Sequence, residues 1–181
     1  MRRELLEKEI DLVDGVTVEY AEGILKAKGA KGEVSKKLQF PGLEVSTKDG
    51  KLVLSIKNVG RREKMFFGTA VAHAKNVIQG ASEGYIYKLK ICSGHFPMNV
   101  KLAGNTFSVV NYIGEKVPRI LKIKEGANVK IDGDFITVEA NNKELAGQVA
   151  ADIELLTRLT NKDRRIYQDG IYIIEKNGKE L

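Results

Sequence analysis

Apolar and polar residues alternate along much of the chain, in short runs broken by glycine-containing turns. "VTVEY" places Val16, Val18 and Tyr20 on one side, the period of a half-buried strand. "ILKAK", a turn over residues 29–32 and "VSKKL" continue in the same manner. "LEVSTKDGKLVLSI" reads as a hairpin: Leu43 and Val45 alternate, Asp49-Gly50 turns, and Leu52, Leu54 and Ile56 alternate back. The period then lengthens to that of a helix. Phe67, Val71, Ala74 and Ile78 share one stripe over about Arg61 to Gln79, with Gly80 as the expected stop.

The second half replays this order. "MNVKL" stands for "VTVEY" with Met98, Val100 and Leu102 alternating, Gly114-Glu115 stands for Gly32-Glu33, and "VPRILKI" follows as "VSKKL" did. "NVKIDGDFITVEA" repeats the hairpin, turning on Asp132-Gly133. A helix then begins near Asn142, with Asn141 and Glu144 as a capping box and Leu145, Val149, Ile153 and Leu156 as its stripe. Residues 81–92 read as a connection and an added strand, and "RRIYQDGIYIIEK" lies after the second helix, outside the repeat. There Asp169-Gly170 reads as a turn leading into an extra strand or hairpin. A repeat of about 80 residues is too long for a solenoid unit. The pattern predicts an α+β protein of two tandem duplicated domains, residues 1–81 and 82–181, each an antiparallel sheet packed against one main helix.

Composition narrows the chemistry. With 181 residues and 43% hydrophobic content the chain suits one or two domains, and no apolar run reaches the ~20 residues of a membrane span. The N-terminal stretch lacks the apolar segment of a secretory signal, and one cysteine, Cys92, excludes an internal disulfide; both predict an intracellular protein. Two histidines and one cysteine cannot be written into a zinc-finger spacing, and the acids follow no EF-hand pattern. His73, between alanines on the first helix, reads as structural. His95 stands three residues from Cys92 with no orienting acid in evidence, so it reads as a backbone cap or a phosphate contact. "GILKAKGAKGEVS" lacks the order of a phosphate loop and joins strands. No catalytic constellation, metal or cofactor is expected.

The charge is basic, 30 Lys+Arg against 24 Asp+Glu. It gathers at residues 26–37, 57–64 and 158–165, each with one acid among four or five cations. Such clusters read as a solvated surface or as a polyanion footprint. Arg164 and Arg165 differ from the lysines, because guanidinium forks phosphate bidentately and stacks on bases. Tyr167 beside them reads either as a ribose or base contact or as cover for a sheet edge. No RNP motif, KH-type loop or zinc knuckle is present, which favours phosphate and shape recognition of structured RNA. A protein-binding scaffold recruiting acidic partners is the alternative.

The duplicated pattern, "SEGYIYKLKICSGHFPMNVKL" and "KDRRIYQDGIYIIEK" together resemble the large-subunit ribosomal protein L-six family in its archaeal and eukaryotic form. Lys162, Arg165, Tyr167, Asp169, Gly170, Ile171, Tyr172, Ile173 and Lys176 meet its most specific run, with Tyr167 where the family more often has phenylalanine. The resemblance implies a structural, non-catalytic constituent of the cytoplasmic ribosome. It implies binding to large-subunit rRNA near the sarcin–ricin loop and stalk base, where translational GTPases dock, beside neighbouring large-subunit proteins. It implies no membrane and no small-molecule substrate. The residues expected to meet RNA are Lys162, Arg164, Arg165, Tyr167 and Lys176, with His95, Lys101 and Arg158.

Overall fold

The structure is a computed structural model that describes residues 3–48 and 50–181. The chain divides into two compact units, one ending at Gly84 and one beginning at Tyr85. Unit 1 runs β1 (Arg3–Asp11), β2 (Thr17–Ala21), β3 (Ile24–Gly29), β4 (Gly32–Lys37), β5 (Leu43–Lys48), β6 (Lys51–Val59) and α1 (Arg61–Ser82). The strands form two antiparallel sheets, ordered β1-β6-β5 and β2-β3-β4. Leu25, Ala27 and Val34 from one sheet and Leu52, Leu54 and Ile56 from the other are buried, as are Phe67, Ala74 and Ile78 of α1. The alternation read from the sequence is therefore the inward face of each sheet, and the stripe is the buried face of the helix.

Unit 2 runs β7 (Tyr85–Cys92), β8 (Asn99–Ala103), β9 (Thr106–Val110), β10 (Arg119–Lys122), β11 (Ala127–Asp132), β12 (Phe135–Ala140), α2 (Lys143–Leu156), β13 (Gly170–Lys176) and β14 (Lys179–Glu180). Its sheets are ordered β10-β9-β8 and β11-β12-β7-β13-β14. The α+β class and the repeat both hold, and each unit divides its strands between two sheets. Residues 85–92 are more than a connection with an added strand: β7 lies inside the five-stranded sheet, and it pairs with β12 as β1 pairs with β6. In unit 1 this first strand is hidden in the charged sequence "RELLEKEID", because among its described side chains only Leu6 and Ile10 pack into the core.

Several local expectations shift. Gly80 is buried within α1, and the helix runs on to Ser82. Gly84, at φ +78°, ends it, its N–H and that of Glu83 both bonding Gln79 O. The cap of α2 is Asn142, one residue after Asn141: its Oδ1 accepts the Glu144 N–H at 2.9 Å. Asp132 pairs with Phe135, so the second hairpin turns on Gly133-Asp134 and not on Asp132-Gly133. Asp49 of the first hairpin lies outside the described residues, although Lys48 and Lys51 are paired across it. Gly114-Glu115 does not copy Gly32-Glu33, since a 3₁₀ turn at Tyr112–Gly114 separates β9 from β10. Asp169-Gly170 is no turn: Asp169 is buried and Gly170 begins β13. The final hairpin turns on Asn177-Gly178, both with positive φ (49° and 80°), between β13 and β14.

Candidate nucleic-acid interface

The helix α2 ends where the exposed loop 157–168 begins, and three side chains hold that junction. Thr157 donates its hydroxyl to Glu154 O and accepts the Ile171 N–H at 2.8 Å. Tyr112, 1% exposed, donates its hydroxyl to the carbonyls of Thr157 and Asp169. Arg119 lies over the Tyr112 ring at 4.3 Å and donates to Leu156 O at 2.8 Å, a cation at the negative end of the helix. Glu115 grips the same guanidinium from the other side, and that hydrogen bond holds the Glu115 carboxyl below its usual pKa. Both ends of the loop are thereby fixed.

Asp169 then draws in a second loop. Its carboxylate, 3% exposed, accepts the backbone N–H groups of Gly94 and His95, with His95 Nδ1 at 3.5 Å. Burial opposes ionisation here, but the Gly94 and His95 donors outweigh it and hold the carboxyl below the usual aspartate range. The consequence is geometric: the rings of His95 and Tyr167 lie 5.0 Å apart, tilted by 36°, and Lys162 Nζ sits 4.8 Å over the Tyr167 ring. Asp163 shapes the tip between them. Its carbonyl accepts from Ile166 and Tyr167 N–H, and its carboxylate accepts from Arg165 N–H and from the Arg165 guanidinium at 2.7 Å. Hydrogen bonding from Arg165 lowers the Asp163 pKa.

Of the residues expected from sequence, the structure thus gathers His95, Lys162, Arg165 and Tyr167 on one edge of unit 2. Arg158 and Arg164 line an open groove of about 290 Å³ beside them, with Glu154, Leu155 and Tyr172. Lys176 is not part of this group. It lies six residues along β13 from Gly170, roughly 20 Å at the rise of a strand, next to the final turn. Lys101 stands exposed on β8, in the other sheet of the unit. Asp169, Asp163 and Arg119 were not legible as site-builders, since each acts on partners set by the fold. Cys92 pairs with Gly170 across the sheet, and among the described residues no three His, Cys, Asp or Glu side chains gather as a metal site. The exposed surface can offer cationic donors to phosphate oxygens and an aromatic pair to a base or ribose.

The sequence profile of the family described as Ribosomal protein L6 matches residues 96–170, the stretch from the His95 loop to the first residue of β13. Two curated relatives extend the likeness over nearly all of the chain. The chain is 41% identical over 177 residues to the Large ribosomal subunit protein uL6 of Methanococcus vannielii, covering 98% of this chain and 97% of that one. It is also 41% identical over 169 residues to the protein of the same name from Methanosarcina mazei, covering 93% and 96%. The chain belongs to the ribosomal protein L6 family. Its motif around Asp169 now has a physical meaning. Lys162 and the aromatic at 167 stack, Asp169 clamps the incoming loop, and a side chain at Gly170 would meet the Tyr172 ring at 3.1 Å.

Proposed function

We propose that this protein is a structural constituent of the large ribosomal subunit that grips large-subunit rRNA through the exposed edge of unit 2. The observation that carries the reading is the clamp of Asp169 on Gly94 and His95. It spends a buried carboxylate on bringing His95, Tyr167 and Lys162 together at the surface, beside Arg158, Arg164 and Arg165. Arg165 is paired with Asp163, but a surface built for its own stability has no need of the further cations Arg158, Lys162 and Arg164 at that place. The family supports siting the interface near the sarcin–ricin loop and stalk base, among neighbouring large-subunit proteins. Lys101 and Lys176 serve as separate phosphate contacts at the margin.

The two arginines are not equivalent. Arg165 already holds Asp163, so it orders the loop and shares its fork with phosphate, while Arg164 points into the groove next to Tyr172. Arg164→Glu with Arg165→Glu is expected to lower affinity for large-subunit rRNA fragments while thermal unfolding of the chain stays nearly unchanged. Each phosphate that the variant no longer neutralises reduces the salt slope of log K by roughly 0.7–0.9. An unchanged affinity and slope would defeat this siting of the interface.

A further inference from the structure

The repeat shows what unit 1 lacks. In unit 2, β7 is paired on both sides, by β12 and by β13. Its counterpart β1 is paired by β6 alone among the described residues, so one edge of β1 is open. Register makes the correspondence specific. Lys51 and Phe135 each follow a hairpin turn, and through the pairings Ile10↔Leu52 and Leu89↔Ile136 the residue Ile10 corresponds to Leu89. Glu9 then corresponds to Lys88 and Asp11 to Lys90. Leu12 N–H bonds Gly50 O on the β6 side, so by alternation the backbone groups of Glu7, Glu9 and Asp11 face the open side.

Where β13 lies in unit 2, unit 1 has an open groove of about 540 Å³. It is lined by Ile10, Asp11 and Val13 on one side and on the other by Lys75 and Ile78 of α1 and by Glu83 just after it. In unit 2 the end of α2 closes over β13, with Glu154 and Thr157 accepting the Ile173 and Ile171 N–H groups. The charges differ in sign. Lys88 bonds Glu175 of β13 at 2.8 Å, whereas unit 1 offers Glu9 and Asp11 at the matching places. Lys51 reaches both acids at 3.1 and 3.5 Å, yet the Glu9 and Asp11 side chains remain 58% and 87% exposed.

We propose that the open edge of β1 docks an extended basic segment of a partner protein, added antiparallel where unit 2 carries β13. The segment alternates apolar residues, which meet Ile10 and Ile78, with Lys or Arg, which meet Glu9 and Asp11. A second copy of this chain is disfavoured, because its β13 is already paired on both sides and its own β1 would set the same acids against Glu9 and Asp11. Lys8, at the register position of Tyr87 in unit 2, is exposed beside the groove and disfavours purely apolar strands, a common protection of sheet edges.

The test uses the isotope-labelled full chain and two peptides at millimolar concentration: the β13 segment GIYIIEK, and the same peptide carrying Glu175→Lys. The Lys peptide is expected to slow amide exchange at Glu7, Glu9 and Asp11 and to bind about two- to fivefold more tightly than the Glu peptide. Glu9→Lys with Asp11→Lys in the protein should invert that order. Equal binding of the two peptides, protection elsewhere, or no inversion overturns the proposal. So does protection of these amides by large-subunit rRNA fragments in place of either peptide.

Discussion

Asp169 shows how one side chain organises a surface that it does not itself present. Its folded pKa lies below the ordinary aspartate value of about 3.9, so its contribution is fully present above that pH. It is lost as pH falls through the lower folded value. Unfolding followed from pH 7 to pH 2 should therefore steepen on the acid side, and Asp169→Asn should flatten that limb. The same variant loses charge-assisted bonds to Gly94 and His95 and should cost about 1.5–3 kcal/mol in chemical denaturation. Tyr167 makes a second test at this scale. Its ring, not its hydroxyl, meets His95 and Lys162, so Tyr167→Phe should leave RNA affinity unchanged. Tyr167→Ala should weaken it by about 1–3 kcal/mol if a base stacks there, as titration with rRNA fragments would read.

At the scale of elements, local signals carried the alternating strands and the helical stripes, because side-chain period is a property of neighbouring residues. They failed where long-range partners decide. Four Asp-Gly pairs look alike in sequence, but Asp169 finds a donor 75 positions away at Gly94 and becomes a buried clamp. The strand β1 reads as a charged stretch because only one of its faces touches the core. Gly29 is a similar case. It reads as a turn residue, but its neighbours Ala30 and Lys31 make the turn, and Gly29 itself lies against the end of α1. A methyl group there would meet Ala81 O at 2.5 Å, and Lys31 N–H bonds the same carbonyl. Gly29→Ala should therefore destabilise unit 1 by roughly 1–3 kcal/mol in thermal or denaturant unfolding. Gly104→Ala, at an open hairpin turn, controls for backbone strain alone.

For the whole molecule, each unit has its own buried cluster. Leu25, Leu54 and Phe67 belong to one, and Leu89, Ile136 and Ile153 to the other. We propose that residues 1–84 and 85–181 are independent folding units, cut after Gly84 so that α1 keeps its final turn. Each fragment should unfold cooperatively by circular dichroism; a fragment without a transition would mean that the cores need one another. The candidate interface was legible as a cluster of cations from charge density and from the family run. Its assembly was not, because the residues that position it lie in β7's exit loop, the 3₁₀ turn and the end of α2, far apart in the chain.

The place of β13 in the sheet also has a consequence in time. Unit 1 has all its strands once residue 84 has been made, but unit 2 waits for a strand that begins at Gly170. At roughly 5–20 residues per second, the stretch from Gly84 to Gly170 takes about 4–17 s to make, and unit 2 lacks its closing strand throughout. Until then Tyr112 has no Asp169 carbonyl to bind, and the His95 loop has no carboxylate to hold it. A nascent chain thus passes through an interval in which unit 1 is complete while the edge proposed to meet rRNA is still unformed.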